Sequence, residues 1–526
     1  MEHLQPAKIL RLILGDQLNI NHSWFSSPDP EVMYVIMEVY PETTYTLHHI
    51  QKLLAVLGAM ELFAQTLVSK GHRVTYLYLN DSSNTQTFLG NITNLLQATG
   101  AQTLEYQEPD EYRLRSQLTR ELEELAINQN ITCNLWTTEH FLSTKEDFQS
   151  KNPQKPPIME QFYRAMRKKT GFLMESNVGG PQPLGGRWNY DQENRSKWKG
   201  DPPAPKIPSF AHHRPLLERV YERLVTKQIP WFGNVEISTW QWPLTRQEAL
   251  LMLEDFLQHR LPWFGTYQDA LEESEPYLFH SLLSFSLNMK LITPREVIEQ
   301  AISFYQAHPG TVPLAGLEGF VRQILGWREY MYQFYWWAMP DFAKTNYFQA
   351  YRQLPAWYWT GETKMACCGR AVTNSLNNSY AHHIQRLMIT GNFALIAGID
   401  PDQVDSWYLG IYIDAFDWVE RPNTRGMSQF ADGGLVATKP YSASASYIQK
   451  MGGPCISCWY DPKKRTGERA CPFNSLYWDF IARNKDLLSG NHRMAIPLSS
   501  WNKFSPQDQA AIRDQAHYYL EHLDEL

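Results

Sequence analysis

Over the first 135 or so residues, short apolar runs alternate with stretches of helical periodicity. That alternation commits the front of the chain to a parallel sheet covered by helices. Ile9 to Leu14 is one such run, closed by Gly15-Asp16, and Val32 to Tyr40 is a second. His49 to Ser69 reads as an amphipathic helix, Val74 to Leu79 as a strand and Thr85 to Ala98 as a helix. Thr103 to Tyr106 and Ile131 to Trp136 complete the set around a helix from Glu111 to Ile127. The expected product is a doubly wound α/β domain over residues 1–138. Such domains take ligands at the carboxyl ends of their strands, and Gly15-Asp16-Gln17-Leu18 stands at one.

Residues 139–240 lose this pattern and read as a connector rich in Pro and Gly, with one helix over Met159 to Lys169. Between Lys151 and Lys227, 15 Lys/Arg stand against 7 Asp/Glu, a local +8 in a chain of net charge −7. Cations and rings interleave at Arg187, Trp188, Tyr190, Arg195, Lys197, Trp198 and Lys199. Cations engage phosphates and rings stack on bases, which favours a nucleic-acid-facing surface over a merely solvated loop. From residue 241 to 526 the pattern is helical, with helices expected at Gln247 to Arg260, Pro294 to Ala307, Leu317 to Tyr335, Ala371 to Thr390 and Asp402 to Ala415. A last helix is announced by Ser505-Pro506. No window reads as a membrane span: the apolar run from Val32 to Val39 is short and carries Glu38. Met1 to Ala7 has no secretory pattern, so a cytoplasmic protein is expected.

Six cysteines occur, and in a cytoplasmic chain free thiols are the default. Cys455 and Cys458 form a CxxC pair, followed after twelve residues by Cys471. Three thiolates so placed need a fourth from elsewhere, and Cys367 or Cys368 can supply it. Neighbours on a helix point about 100° apart, so one of the two ligates. Zinc and a [4Fe–4S] cluster would use the same thiolates, and Cys471-Pro472 suits the cluster.

Three further segments bring a family into view. Trp327-Arg328-Glu329-Tyr330, preceded by Gln323, resembles a photolyase motif. Tyr380-Ala381-His382-His383-Ile384-Gln385-Arg386 is similar to the His-His-x-x-Arg segment of (6-4) photolyases, and Asp414 with Glu420 matches the flavin-facing turn. Together with the cysteines, the chain resembles the iron–sulfur bacterial cryptochromes and photolyases of the photolyase/cryptochrome superfamily. The likeness runs through nearly its whole length, from Gly15-Asp16-Gln17-Leu18 and Glu38 to His49 at the front to Asn423 to Gly434 and Lys439-Pro440-Tyr441 at the back.

The resemblance implies FAD in an all-helical domain over residues 241–526, with Tyr267, His280, Ser281, Leu283, Ser284, Gln323, Arg328, Arg386, Asp414 and Glu420 as its contacts. Hydroxyls near helix starts suit a pyrophosphate, and an arginine beside the ring suits a reduced anion. It implies light-driven transfer of one electron to a (6-4) photoproduct in UV-damaged DNA, with His383 as proton donor, His382 in support and Glu420 near the flavin. Leu387 stands where animal and plant enzymes have a second histidine. Trp359, Trp407 and Tyr408 would carry electrons to the flavin. Cys367, Cys455, Cys458 and Cys471 would hold a [4Fe–4S] cluster. Gly15, Asp16, Gln17 and Glu38 would contact a 6,7-dimethyl-8-ribityllumazine antenna, and Arg187, Trp188 and Tyr441 would meet DNA. A monomer is expected. Two other readings are a cryptochrome-type photoreceptor that binds FAD without repair and an iron–sulfur nucleic-acid-binding protein resembling the primase large subunit.

Overall fold

Five short strands, β1 (Ile9–Ile13), β2 (Val32–Met37), β3 (Arg73–Leu77), β4 (Thr103–Gln107) and β5 (Thr132–Trp136), pair in parallel in the order β3-β2-β1-β4-β5. They come from a computed structural model that describes residues 4–526 apart from 178, 179, 195, 273, 452 and 453. Arg195 of the basic connector therefore lies outside the described residues. Ile9 is in register with Val32 on one side and Thr103 on the other. The strand order turns back between β1 and β4, which opens a crevice at their carboxyl ends.

The side-chain period of two divides these strands between two cores. Tyr34 and Ile36 pack with Leu53, Leu54 and Leu57 of the helix α1 (Ile50–Ser69). Leu10, Leu12, Met33 and Val35 instead pack with Ile92 and Leu95 of α2 (Phe88–Thr99) and Leu118 and Leu122 of α3 (Tyr112–Gln129). With both faces covered, every residue of β2 is buried. By length and composition α1 could cross a membrane, a feature the sequence reading missed, but 67% of its apolar window is buried inside the fold.

The connector contains the expected helix, Met159–Thr170, and a second one, Arg214–Thr226, that was not expected. Leu216, Leu217, Val220 and Leu224 form its buried stripe, at helical spacing but concealed among prolines. A two-residue parallel ladder, His48–His49 with Trp231–Phe232, ties the connector to the front domain.

The helical part departs from expectation where it builds the site. The single helix expected over Ala371 to Thr390 is broken. Ala366–Asn378 ends at Ser379, whose φ of +50° is the left-handed region and whose hydroxyl donates to the Ile411 carbonyl at 2.9 Å. Helix resumes beyond His382 and widens to π geometry over Gln385–Gly391. The helix expected to reach Ala415 stops at Ile411, because Tyr412 is extended, and this delivers Asp414 on a turn. Leu314–Val321 and Glu329–Ala338 flank another π segment, Arg322–Arg328. Widened turns of this kind re-aim side chains and concentrate at functional sites. The final helix, Pro506–Glu521, starts as expected, with the Ser505 hydroxyl accepting from the Asp508 N–H.

Candidate functional site

The break at Ser379 leaves a cavity of 590 Å³ beside it, with Tyr277, His280, Asn374, Asn378, His382 and Gln385 in its wall. Asn374 and Asn378 share one helix face, four residues apart. His280 and His382 stack at 4.5 Å, and the His383 ring lies tilted against His382, also at 4.5 Å. The backbone carbonyl of Gln268 lies 2.7 Å from His382 Nε2, and the Tyr380 hydroxyl lies 2.7 Å from His280 Nδ1. Burial drives both inner imidazoles toward the neutral form: the His382 pKa falls well below the usual range, and that of His280 drops to about 3. His383 is half-exposed, with Nε2 3.3 Å from the Asp269 carboxylate.

One residue beyond Gln385, the guanidinium of Arg386 forms a two-pronged pair with Asp414, at 3.1 and 3.3 Å, and lies 3.8 Å over the Tyr412 ring. The Ser284 hydroxyl donates to the same carboxylate at 2.8 Å, and Asn288 donates to the Asp414 backbone carbonyl at 2.8 Å. Burial opposes the Arg386 charge, but Asp414, together with Tyr412, Glu420 and Tyr380, outweighs it, and the Arg386 pKa moves up. Glu420 is buried nearby and receives a hydrogen bond from the Thr424 hydroxyl at 2.6 Å. Burial pushes its carboxyl up, against the pull of Arg386.

Lys52 of α1 reaches this turn from the front domain, its ammonium donating to the carbonyls of Leu409 at 2.8 Å and Ala415 at 2.5 Å. Burial lowers its pKa from 10.5 to about 8. The unfolded chain therefore binds more protons between those values, and folding stability rises with pH across that window. Relative to Lys52→Met, the wild-type protein is expected to gain up to about 3 kcal/mol from pH 8 to 10.5, read by denaturant titration at each pH.

Aromatic rings lead away from the pair. Tyr412 lies 5.6 Å from Tyr408 and 6.1 Å from Trp407, and Trp407 lies 5.0 Å from Tyr358. Tyr358 in turn stacks at 4.2 Å on Trp357, and Trp359, on the same short helix, is exposed and packs on Phe232. Of the expected cofactor contacts, the structure gathers His280, Ser284, Arg386, Asp414 and Glu420. Leu283 is core, and Ser281 is half-buried in the loop before Ser284. Tyr267 stacks on Phe279 at 5.4 Å and donates to the Asp201 carbonyl. Gln323 is exposed, and Arg328 lies over Phe141 and Trp418 with His140 at 3.0 Å, outside the cavity wall. Tyr412, Tyr358 and Lys52 were not expected; their roles arise from tertiary placement, and no local spacing announces them.

A second, smaller cavity of 130 Å³ opens in the sheet crevice, with Gly15, Asp16, Glu38, His48 and Lys52 in its wall. Both ring nitrogens of the buried His48 lack a protein partner, as does Nε1 of Trp418, so donors and acceptors are available to a polar ligand. Glu38 is held by Tyr76, the Leu79 N–H and Arg223, and Asp16 by Lys290. Gln17 is not in the wall; its side-chain oxygen accepts from the Leu14 N–H to close the turn, and its amide donates to the carbonyls of Gln107 and Glu108.

Cys367, Cys455, Cys458 and Cys471 line one small pocket, at the start of Ala366–Asn378, in the turn at 455–458 and ahead of Pro472–Arg483. Cys368 faces the core instead and lines no part of it. Burial pushes the Cys455 thiol up to about 11, with the neighbouring sulfurs adding to it. Sharing this pocket as thiolates therefore calls for a cation. Among the described residues, the cysteine sulfurs do not form a group of three within 4.8 Å of one another. A single tetrahedral zinc would need sulfurs about 3.8 Å apart.

Known proteins bear on this arrangement. The family described as Deoxyribodipyrimidine photo-lyase-related protein matches residues 11–240. A (6-4) photolyase of Agrobacterium fabrum is 43% identical over 519 residues, covering 98% of this chain and 99% of its own. The chain belongs to the (6-4) photolyase family. A crystal structure of a bacterial class III photolyase from Agrobacterium tumefaciens superposes over 99% of both chains, with a TM-score of 0.54 at 15% identity. A Synechocystis cryptochrome does so over 81% of this chain and 83% of its own, with a TM-score of 0.53 at 13% identity. These two likenesses show the fold, an α/β domain followed by a helical one. Family membership implies FAD, and a solvent-open cavity with a charged pair beside it fits a large planar, polar cofactor.

Proposed function

We propose that this protein repairs (6-4) pyrimidine–pyrimidone photoproducts in UV-damaged DNA in a light-driven reaction, with FAD in the helical domain. The observation that carries this reading is the Arg386–Asp414 pair, backed by Tyr412 and Glu420 beside a cavity walled by His280 and His382, in a chain aligned end to end with a (6-4) photolyase. Bound there, reduced flavin would supply one electron to the lesion on absorbing light and receive one back.

The chain's own residues do the rest. The Arg386 charge, held up by Asp414, favours a reduced anion in its neighbourhood. Glu420, with its carboxyl pushed up by burial, can hold a proton where an amide could not. His383, at the half-exposed end of the imidazole row, hands a proton to the flipped-out lesion, while His382 and His280 keep the row in place. Trp407 and Tyr408 support electron supply to the flavin, with Trp359 at the surface. Trp407→Phe is expected to slow photoreduction with flavin content unchanged, followed by bleaching of the flavin band under steady light.

On the DNA side, the Trp188 ring has Arg164, Arg167 and Lys168 within 5.6 Å, and Arg187 is exposed. Arg167 is buried, but the exposed Arg164, Lys168 and Arg187 can engage phosphates around a stacking platform. Tyr441 is half-buried and would contribute a further contact. The four-cysteine pocket fits a [4Fe–4S] cluster better than one zinc, because a cube of iron and sulfide spaces the thiolates farther apart. The sheet crevice, with its unpartnered His48, suits a lumazine antenna.

Purified protein under blue light is expected to restore a defined (6-4) oligonucleotide and to leave it intact in darkness. A flavin-loaded protein inert toward the lesion would instead be a photoreceptor, and a colourless one would overturn both readings. A visible shoulder lost on iron chelation would mark the cluster.

A further inference from the structure

Far along the chain from the cysteines, one side-chain cluster has the make-up of a metal site and no part in the reaction. Among the described residues, it is the group of three ligand-type side chains whose donor atoms all lie within 4.8 Å of one another: His212, His213 and Glu248. The two histidines sit on the turn Ala211–His213, which leads the connector into the helix Arg214–Thr226. Glu248 is the third residue of the helix Arg246–Asp255, at the start of the helical domain.

We propose that His212, His213 and Glu248 form a binding site for a single zinc-type divalent ion that pins the connector to the helical domain. Three features of the geometry carry this. Both imidazole Nε2 atoms converge on the same carboxylate oxygen, Glu248 Oε1, at 2.8 Å from His212 and 2.5 Å from His213. The other oxygen is already committed, since Oε2 accepts from the backbone N–H groups of Leu244 at 2.9 Å and Thr245 at 3.2 Å. Those bonds belong to a reciprocal cap in which the Thr245 hydroxyl accepts from the Glu248 N–H. They fix the carboxylate from behind, as the outer shell of a metal site does. Finally, Glu248 and His213 are buried while the His212 side chain is 63% exposed, so the fourth position faces water.

Without an ion, each imidazole needs a proton on the nitrogen that faces the carboxylate, and two N–H groups crowd one oxygen. A divalent ion takes the place of both protons, which move to the Nδ1 atoms as each imidazole changes tautomer, and bonds the same three atoms at about 2.0–2.2 Å. The ligand atoms must then spread to about 3.3 Å from one another, and the exposed His212 can swing outward to allow it. Two imidazoles and one carboxylate select zinc and its neighbours nickel and copper. Magnesium and calcium, which take oxygen ligands, are not favoured.

The test uses the full-length, cofactor-loaded protein after removal of loosely bound metal. Calorimetry with Zn2+ alone is expected to show one equivalent bound, undisturbed by millimolar Mg2+ and at least tenfold weaker in His212→Ala and in Glu248→Gln. Because His212 is exposed, its alanine variant should keep the wild-type melting temperature in the absence of metal. Electron paramagnetic resonance of bound Cu2+ should show two coordinated nitrogens, falling to one in His212→Ala. No bound equivalent, an affinity unchanged in His212→Ala, or a copper spectrum with sulfur ligation would each overturn the proposal.

Discussion

His383→Ala is expected to lower light-driven repair of a (6-4) lesion by about a hundredfold or more, the usual range for loss of a general acid, with flavin content and fold retained. The row His280–His382–His383 explains why this one imidazole matters. The two inner rings are buried and pushed toward the neutral form, so neither can donate as a cation near neutral pH. His383 alone meets both water and a carboxylate, that of Asp269. Leu387, four residues on, offers no proton that could substitute. Turnover of a single-lesion duplex under continuous blue light reads the effect. Repair by His383→Ala at the wild-type rate would remove this residue from the mechanism.

The second large effect falls on stability. Arg386→Met is expected to destabilise the helical domain by about 2–3 kcal/mol, because it strands a half-buried carboxylate, Asp414, near a buried acid, Glu420. The Tyr412 ring would also lose its cation. Adding Asp414→Asn should restore a large part of the loss, since the stranded charge is then gone, whereas an additive double mutant would mean that the pair is not coupled. Denaturant unfolding of the single and double variants measures this. Flavin retention should fall with Arg386→Met as well, because both members of the pair sit on the turns that shape the cavity.

The front domain was legible because its signals are local. Six consecutive apolar residues in β2 need cover on both sides, and the runs around them alternate at the spacing of a βαβ chain. The cysteine spacing was legible for a similar reason, since a CxxC pair is a fixed local geometry. Spacing left Cys367 and Cys368 open; the resemblance named Cys367, and packing puts that one in the pocket with the other three. The helix Arg214–Thr226 hid because neighbouring prolines masked a sound apolar stripe. The break at Ser379 could not be read either: a serine in the left-handed region is held there by the Ile411 carbonyl, a contact from 32 residues away. Motif likeness singled out Arg386, Asp414, Glu420 and His382, which the structure brings near one another. It could not tell that Gln323 faces solvent or that Arg328 is engaged over Phe141 and Trp418.

The ammonium of Lys52 bears on how such molecules can be rebuilt. A strut from the front-domain helix α1 ends on the carbonyls of Leu409 and Ala415, which bracket the loop bearing Asp414. Cutting the gene at residue 138 and grafting a different α/β module would remove that strut and leave two acceptors empty next to the Arg386–Asp414 pair. Modular exchange between relatives should therefore succeed where the incoming module brings a cation to the same spot, and misfold where it does not.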